Sequence, residues 1–163
     1  MFLSVYLFYR FLKSPSALRL IAAGASVGLA LAVKHTGLLI LPILFLLTLC
    51  HILTEKIGRH ALKTLGSLAL IALIGWVVLW SFYRFRYDAH PNGLQLNPPL
   101  AEYVKGLEPH EAWPISTAAR FHIIPESYLY GLADVRLTAN YYTTYVLGKV
   151  YAHGVWFYFP LLF

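Results

Sequence analysis

From Thr64 to Tyr83 the chain runs for twenty residues (TLGSLALIALIGWVVLWSFY) without a charge. As a helix rising about 1.5 Å per residue, that run reaches about 30 Å, the thickness of a bilayer's hydrocarbon core. A segment of this kind demands an apolar surrounding, and the composition agrees. Of 163 residues, 59% are apolar and 12% charged, with a mean hydropathy of +0.63; a soluble globular domain carries about 25% charged residues. Aromatic residues make up 16%, with Tyr and Trp near segment ends, as favoured at a membrane interface. The single cysteine, Cys50, lies in an apolar run, so no intrachain disulfide can brace the fold.

Upstream, Phe2 to Leu12 is apolar except for Arg10, and at about 17 Å as a helix it is too short to span. Lys13-Ser14-Pro15-Ser16 ends it, with Ser14 expected to cap the next helix and Pro15 to sit in its first turn. From Ala17 to Leu53 the apolar stretch is interrupted by Arg19, the Lys34-His35 pair and His51. One helix of that length would reach roughly 55 Å, so two spans are expected, folded back on each other. The break falls at Lys34-His35-Thr36-Gly37, a polar cluster with a helix-ending glycine. Gly24, Gly28 and their small neighbours (AAGASVGLALA) offer a face for close helix packing. The expected fold is thus all-α and polytopic. A partial span at 1–12 precedes spans at 17–33, 37–53 and 64–83, then a large loop at 84–153 and the start of a further span at 154–163.

Charge orients these segments. Arg10, Lys13, Arg19, Lys56, Arg59 and Lys63 flank two short turns that hold one acid, Glu55. The positive-inside rule makes these turns cytoplasmic and the Lys34 turn and the long loop exoplasmic. The loop balances six basic residues (Arg84, Arg86, Lys105, Arg120, Arg136, Lys149) against six acidic ones (Asp88, Glu102, Glu108, Glu111, Glu126, Asp134). Within it, Leu100 to Leu107 predicts a short helix, Pro114-Ile-Ser-Thr the start of another, and Glu126 to Leu137 the best one. Tyr128, Leu132 and Val135 would share one face of that last helix, able to lie on the membrane surface or on neighbouring spans.

Motifs of soluble enzymes are missing. The loop histidines His90, His110, His122 and His153 lack metal-ligand spacing, and no HExxH, GxSxG, P-loop or dinucleotide fingerprint is present. Neither a metal site nor an organic cofactor can be identified, although a divalent metal is compatible with a complete enzyme. Glu108 and Glu111 could share a helix face, most simply a solvated one. Lys34 is the sharpest single residue, because an ammonium at the end of an apolar span must reach the interface or an anion. Together with His35, and helped by Arg84 and Arg86, it is the candidate ligand for a lipid phosphate.

A family resemblance rests on two stretches. Gly28-Leu-Ala-Leu-Ala-Val-Lys34-His35-Thr36-Gly-Leu-Leu-Ile-Leu-Pro42 resembles the "G-L-A-x-x-x-K-x-T … L-x-P" run of bacterial membrane glycosyltransferases. Pro125-Glu-Ser-Tyr128-Leu-Tyr-Gly131-Leu132, then Gly148 and His153-Gly154-Val-Trp156-Phe-Tyr158-Phe159-Pro160, resembles the region where those enzymes' exoplasmic loop re-enters the membrane. The family is the GT-C superfamily, in the manner of dolichyl-phosphate-mannose–protein mannosyltransferases and aminoarabinose transferases. The resemblance implies transfer of a sugar from a polyprenyl-phosphate-type lipid donor to an exoplasmic lipid, glycan or protein acceptor. It places Tyr128, Gly131, His153, Gly154, Trp156 and Tyr158 in an acceptor or loop motif.

The same resemblance sets the catalytic carboxylate in a first exoplasmic loop, upstream of Met1, so none is assigned here. The chain is therefore read as a fragment, inert alone, of a protein in the inner or plasma membrane of a bacterium with its loop periplasmic. Its expected partners are the bilayer, the lipid-linked donor and the acceptor, without nucleic acid. Two other classes fit an apolar chain of this kind: a transporter or flippase segment with Lys34 as an intramembrane site, and a non-catalytic membrane scaffold. The first would place polar residues deeper in the spans; the second would leave the loop indifferent to point mutation.

Overall fold

A computed structural model describes residues 1–54, 61–90, 96–139, 143–152, 155, 157, 158 and 160. The described residues are mostly helical and fall into two units, Met1–Phe85 and Arg86–Phe163. In the first unit, α1 (Phe2–Lys13) and α2 (Ala17–Val33) form a hairpin. Ser16, rather than Ser14, caps α2: its hydroxyl accepts from the Arg19 amide at 3.4 Å. Pro15 stays outside the helix, and the Ser14 carbonyl instead accepts from the Arg19 guanidinium at 2.5 Å. Farther along the hairpin, the buried Ser4 hydroxyl donates to the Ser26 carbonyl at 3.0 Å, and Ser26 donates to Ala23 at 2.7 Å. Both hydroxyls are thus satisfied without water, as buried polar groups must be. Phe8, Phe11, Ala23 and Val27 fill the space beside them.

The break expected after Val33 is present, but its mechanism differs. Lys34 is extended (φ −155°, ψ 138°), and a 3-10 turn, His35–Leu39, leads into α3 (Ile40–Thr54). Gly37 does not end a helix. It is where this turn presses on α2: a Cβ there would lie 2.2 Å from the Ala30 carbonyl oxygen. Only glycine permits so close a backbone approach.

A fourth helix, α4 (Ala61–Phe82), lies along α2. A Cβ on Gly24 would sit 2.6 Å from the Ile74 Cβ, and one on Gly28 2.5 Å from the Val78 Cβ. Gly75 fits back against Val27 at 2.9 Å. Four residues along α2 correspond to four along α4 in the same direction, so the two helices are parallel, with α3 returning between their ends. The small-residue face read in the sequence is this contact.

Outside these contacts the unit is apolar. On α3 only Ile40, Leu44 and Thr48 are buried, one stripe at i, i+4, i+8, while Phe45, Leu46 and Leu49 are exposed. Among the described residues two helices, His35–Thr54 and Ala61–Phe82, are long and apolar enough to cross a membrane by length and composition, and Ala17–Val33 is a shorter apolar helix.

The second unit has its own core. It contains α5 (Leu100–Tyr103) with a 3-10 extension Val104–Gly106, α6 (Pro109–Arg120) and α7 (Glu126–Ala139). Leu100, Val104, Leu107, Ile115, Leu129 and Ala133 pack together. Helix α6 begins at Pro109, five residues before the expected start at Pro114. Glu108 is its N-cap residue and Pro109 supplies the fixed φ of a first helical position, so Pro114 falls inside the helix. On α7 the buried face is Tyr128, Leu129 and Ala133; Leu132 is half-buried and Val135 is 44% exposed. Leu129 and Ala133, one residue along from the Tyr128–Leu132 face, meet α5 and α6. Glu111 and Arg136 join α6 to α7 at 3.4 Å.

One element lies outside the all-α expectation. Strands β1 (Thr144–Val146) and β2 (Lys149–Tyr151) pair antiparallel, with Val146 opposite Lys149. Leu147 and Gly148 both have positive φ (49° and 80°), as a two-residue hairpin turn requires. Tyr145, Val146, Val150 and Tyr151 supply the β-branched and aromatic residues that favour strands.

The α2–α4 contact leads to a test. A methyl on Gly28 would meet the Gly75 carbonyl at 2.7 Å as well as Val78, so Gly28→Ala should destabilise the unit by about 1–3 kcal/mol through overpacking. Nothing lies within 4 Å of a Cβ on Gly66, so Gly66→Ala should instead stabilise α4 by up to about 1 kcal/mol. Thermal unfolding followed by circular dichroism should show shifts of opposite sign; a Gly28→Ala melt equal to wild type would contradict the packing.

Candidate functional site

In the helical unit, the parallel α2–α4 contact brings the chosen cations to one end. Lys34 and Arg84 each lie six residues beyond the Gly28–Val78 contact, about 9 Å further along if helical. Both are exposed, and His35, in the 3-10 turn, is half-buried. The Lys34 carbonyl accepts from the Gly37 amide at 2.7 Å, so the residue bearing the ammonium is held by the same turn that Gly37 seats on α2. Arg84 (φ 54°) and Phe85 (φ 55°) close the end of α4 in the left-handed region, with the Phe85 amide donating to the Trp80 carbonyl at 3.0 Å. Arg10, Lys13, Arg19 and Lys63 gather at the opposite end of the unit. The sequence places no Asp or Glu among residues 1–54 and 61–85. Among the described residues of this unit the cations therefore have no carboxylate to pair with.

Arg86 belongs to the second unit, where its guanidinium donates to the Ala89 carbonyl at 3.3 Å. It begins a segment tied to two helices. The Tyr87 carbonyl accepts from the Glu126 amide (3.0 Å), the Ala89 amide donates to the Glu126 carboxylate (3.0 Å), and the Tyr87 hydroxyl donates to the Ala119 carbonyl (3.1 Å). Glu126 thereby holds two groups at once, its backbone at the N-terminus of α7 and its side chain on the preceding loop. The Tyr87 ring lies 3.9 Å from the His122 ring, which a positive φ of 50° turns toward it.

Between this segment and α5 and α6 lies a cavity of about 650 Å³. Its polar wall includes Asp88, His90, Ser116, Arg120 and Glu126, and Leu100 and Val104 close the apolar side. Burial holds Tyr87 above the usual phenol pKa, and the neighbouring Glu126 and Asp88 carboxylates add to the shift. A space of this size, with an aromatic ring, both charge signs and an aliphatic floor, suits a small polar ligand with hydroxyl groups. Among the described residues no group of three His, Cys, Asp or Glu side chains could hold a metal ion.

Of the residues the resemblance singled out, Tyr128 is buried and Gly131 half-buried on α7, and neither lines the cavity. Tyr158 is half-buried, with its amide donating to the Val155 carbonyl at 3.1 Å. His153, Gly154 and Trp156 lie outside the described residues. The cavity residues themselves were not selected from the sequence. The turn cluster at Asp88–His90 and the Pro125-Glu126 helix start were its only signals, and neither shows that a loop and a helix start thirty-seven residues apart are joined. No family model, curated protein or solved structure matches the chain.

One titration follows from the geometry of this unit. The Tyr103 hydroxyl donates to the Asp134 carboxylate, and this bond, with burial, pushes its pKa up to about 12. The folded state holds that proton more tightly than the unfolded chain, so the bond's contribution is present below about pH 10 and fades as pH rises towards about 12. Tyrosinate absorbance should show a late-titrating group that Tyr103→Phe removes. A spectrum unchanged by that substitution would refute the bond.

Proposed function

We propose that this chain is a section of an integral-membrane glycosyltransferase of the GT-C type, which moves a sugar from a lipid phosphate to an acceptor outside the cytoplasm. The observation that carries the reading is the placement of Lys34 and Arg84 at the same end of an apolar helical unit whose described residues hold no Asp or Glu. Cations there suit a phosphate that is fixed in the bilayer by its lipid. In the reaction, an acceptor hydroxyl attacks the anomeric carbon, the bond from that carbon to the phosphate oxygen breaks, and the hydroxyl proton passes to a carboxylate base. Charge grows on the departing phosphate, where Lys34 and Arg84 stabilise it.

Support for the membrane placement comes from the two long apolar helices, the exposed apolar surface of α3 and the basic residues at the α1–α2 turn. The transporter reading has less support, since no charged side chain of the described residues lies mid-helix in α2, α3 or α4. Reporter fusions test this placement: those after Gly58 should report cytoplasm and those after Pro109 the opposite side. Agreement between the two would remove the α4 span.

For the phosphate role, Lys34→Gln in the active enzyme should weaken donor use roughly ten- to a hundredfold, the loss expected for one charge-assisted contact. Membrane insertion should be unchanged, and Lys34→Arg should recover part of the loss. Unchanged donor KM and turnover in Lys34→Gln would leave Lys34 an interface anchor.

A further inference from the structure

A second cavity, of about 560 Å³, lies between α1 and α3. Val5, Phe8 and Leu12 of α1 and Leu47 of α3 wall it, and Lys13 and His51 stand at one end, where both helices finish. We propose that this groove holds one acyl chain of an anionic glycerophospholipid, with the lipid's phosphate at Lys13 and His51. The inference rests on the membrane placement above but not on sugar transfer.

Dimensions select the occupant. From Phe2 to Lys13 the groove wall is about 16 Å long, close to one leaflet's share, about 15 Å, of the hydrocarbon core. A volume of about 560 Å³ along that length is of the order of a single hydrocarbon chain.

Charge selects the headgroup. The Lys13 ammonium sits 5.2 Å from the Tyr9 ring and the Arg10 guanidinium 5.9 Å from the Tyr6 ring, and both rings line the groove. Residues 1–54 contain no Asp or Glu. Apolar walls that end in cations without a carboxylate of their own segment complement an amphiphile with an anionic head. This end of the unit is opposite to the one carrying Lys34, so the site is distinct from that proposed for the donor.

The test uses the full chain in nanodiscs of equimolar phosphatidylglycerol and phosphatidylcholine, both palmitoyl-oleoyl, with lipid retained after detergent extraction counted by mass spectrometry. Phosphatidylglycerol should be retained about fivefold over phosphatidylcholine, the ratio expected from one basic residue at an anionic headgroup. Lys13→Gln should bring that ratio close to one, and Lys13→Arg should keep it. Leu47→Trp, which fills the groove, should release both lipids; Val5→Phe provides a second filling variant if the first misfolds. Equal retention of the two lipids by wild type would overturn the proposal. So would a preference that survives both filling variants, displacement of the lipid by millimolar inorganic phosphate, or a groove found closed by a second copy. Recovery of the chain in carbonate-washed vesicles checks the membrane placement separately, so failure of one reading is not mistaken for failure of the other.

Discussion

Backbone contact between α2 and α4 organises the helical unit. Gly24, Gly28 and Gly75 let the two helices approach until carbonyls and β-carbons touch, and a side chain at any of the three would collide with its neighbour. Because the contact runs in parallel, it fixes which ends of the helices coincide. It also obliges α3 to run back antiparallel to both, and most of α3 is uncovered. Dispersion at so short a distance is strong in sum, although each atom pair contributes only about 0.1–0.2 kcal/mol. The placement of Lys34 and Arg84 at the same end depends on this register.

The second unit is held in a different way. Its core is small, and polar ties do more of the positioning: Glu126 on the Tyr87–Ala89 segment, Tyr103 on Asp134, Arg136 on Glu111. Exposed ion pairs such as the last contribute little to stability, about 0–1 kcal/mol. Their value lies in setting the orientation of α7 against α5 and α6, which shapes the cavity. Having a polar, charge-balanced unit and an apolar one with no carboxylates in its described residues also divides the chemistry. Anionic groups are attracted to the helices, whereas ligands able to use both charges suit the cavity.

The sequence was most legible where one physical term dominates. Uncharged length gave α4, a polar break gave the turn at Lys34, and small residues gave the α2–α4 face, because hydrophobic span and steric size are local properties. Competing local signals were harder to rank. Ser14 and Ser16 both suit a cap, as Pro109 and Pro114 both suit a helix start, and tertiary surroundings chose between them. Which side of α7 is buried was not legible, since Tyr128-Leu-Tyr-Gly-Leu132 offers apolar groups on every side. The hairpin at Thr144–Tyr151 is too short for a periodicity signal. The cavity was beyond reach altogether, because it depends on a loop amide meeting a glutamate far along the chain.

The parallel contact also has a consequence for the order of synthesis. Gly28 and its partner Gly75 are 47 residues apart, so at 5–20 residues per second the ribosome needs roughly 2–9 s to make the second after the first. For that interval α2 has only the α1 hairpin and, later, the Gly37 turn to hold it, with its glycine face open. The serine hydrogen bond to α1 and the backbone contact at Ala30 are thus the interactions that keep a short, glycine-containing helix in place until its main partner emerges.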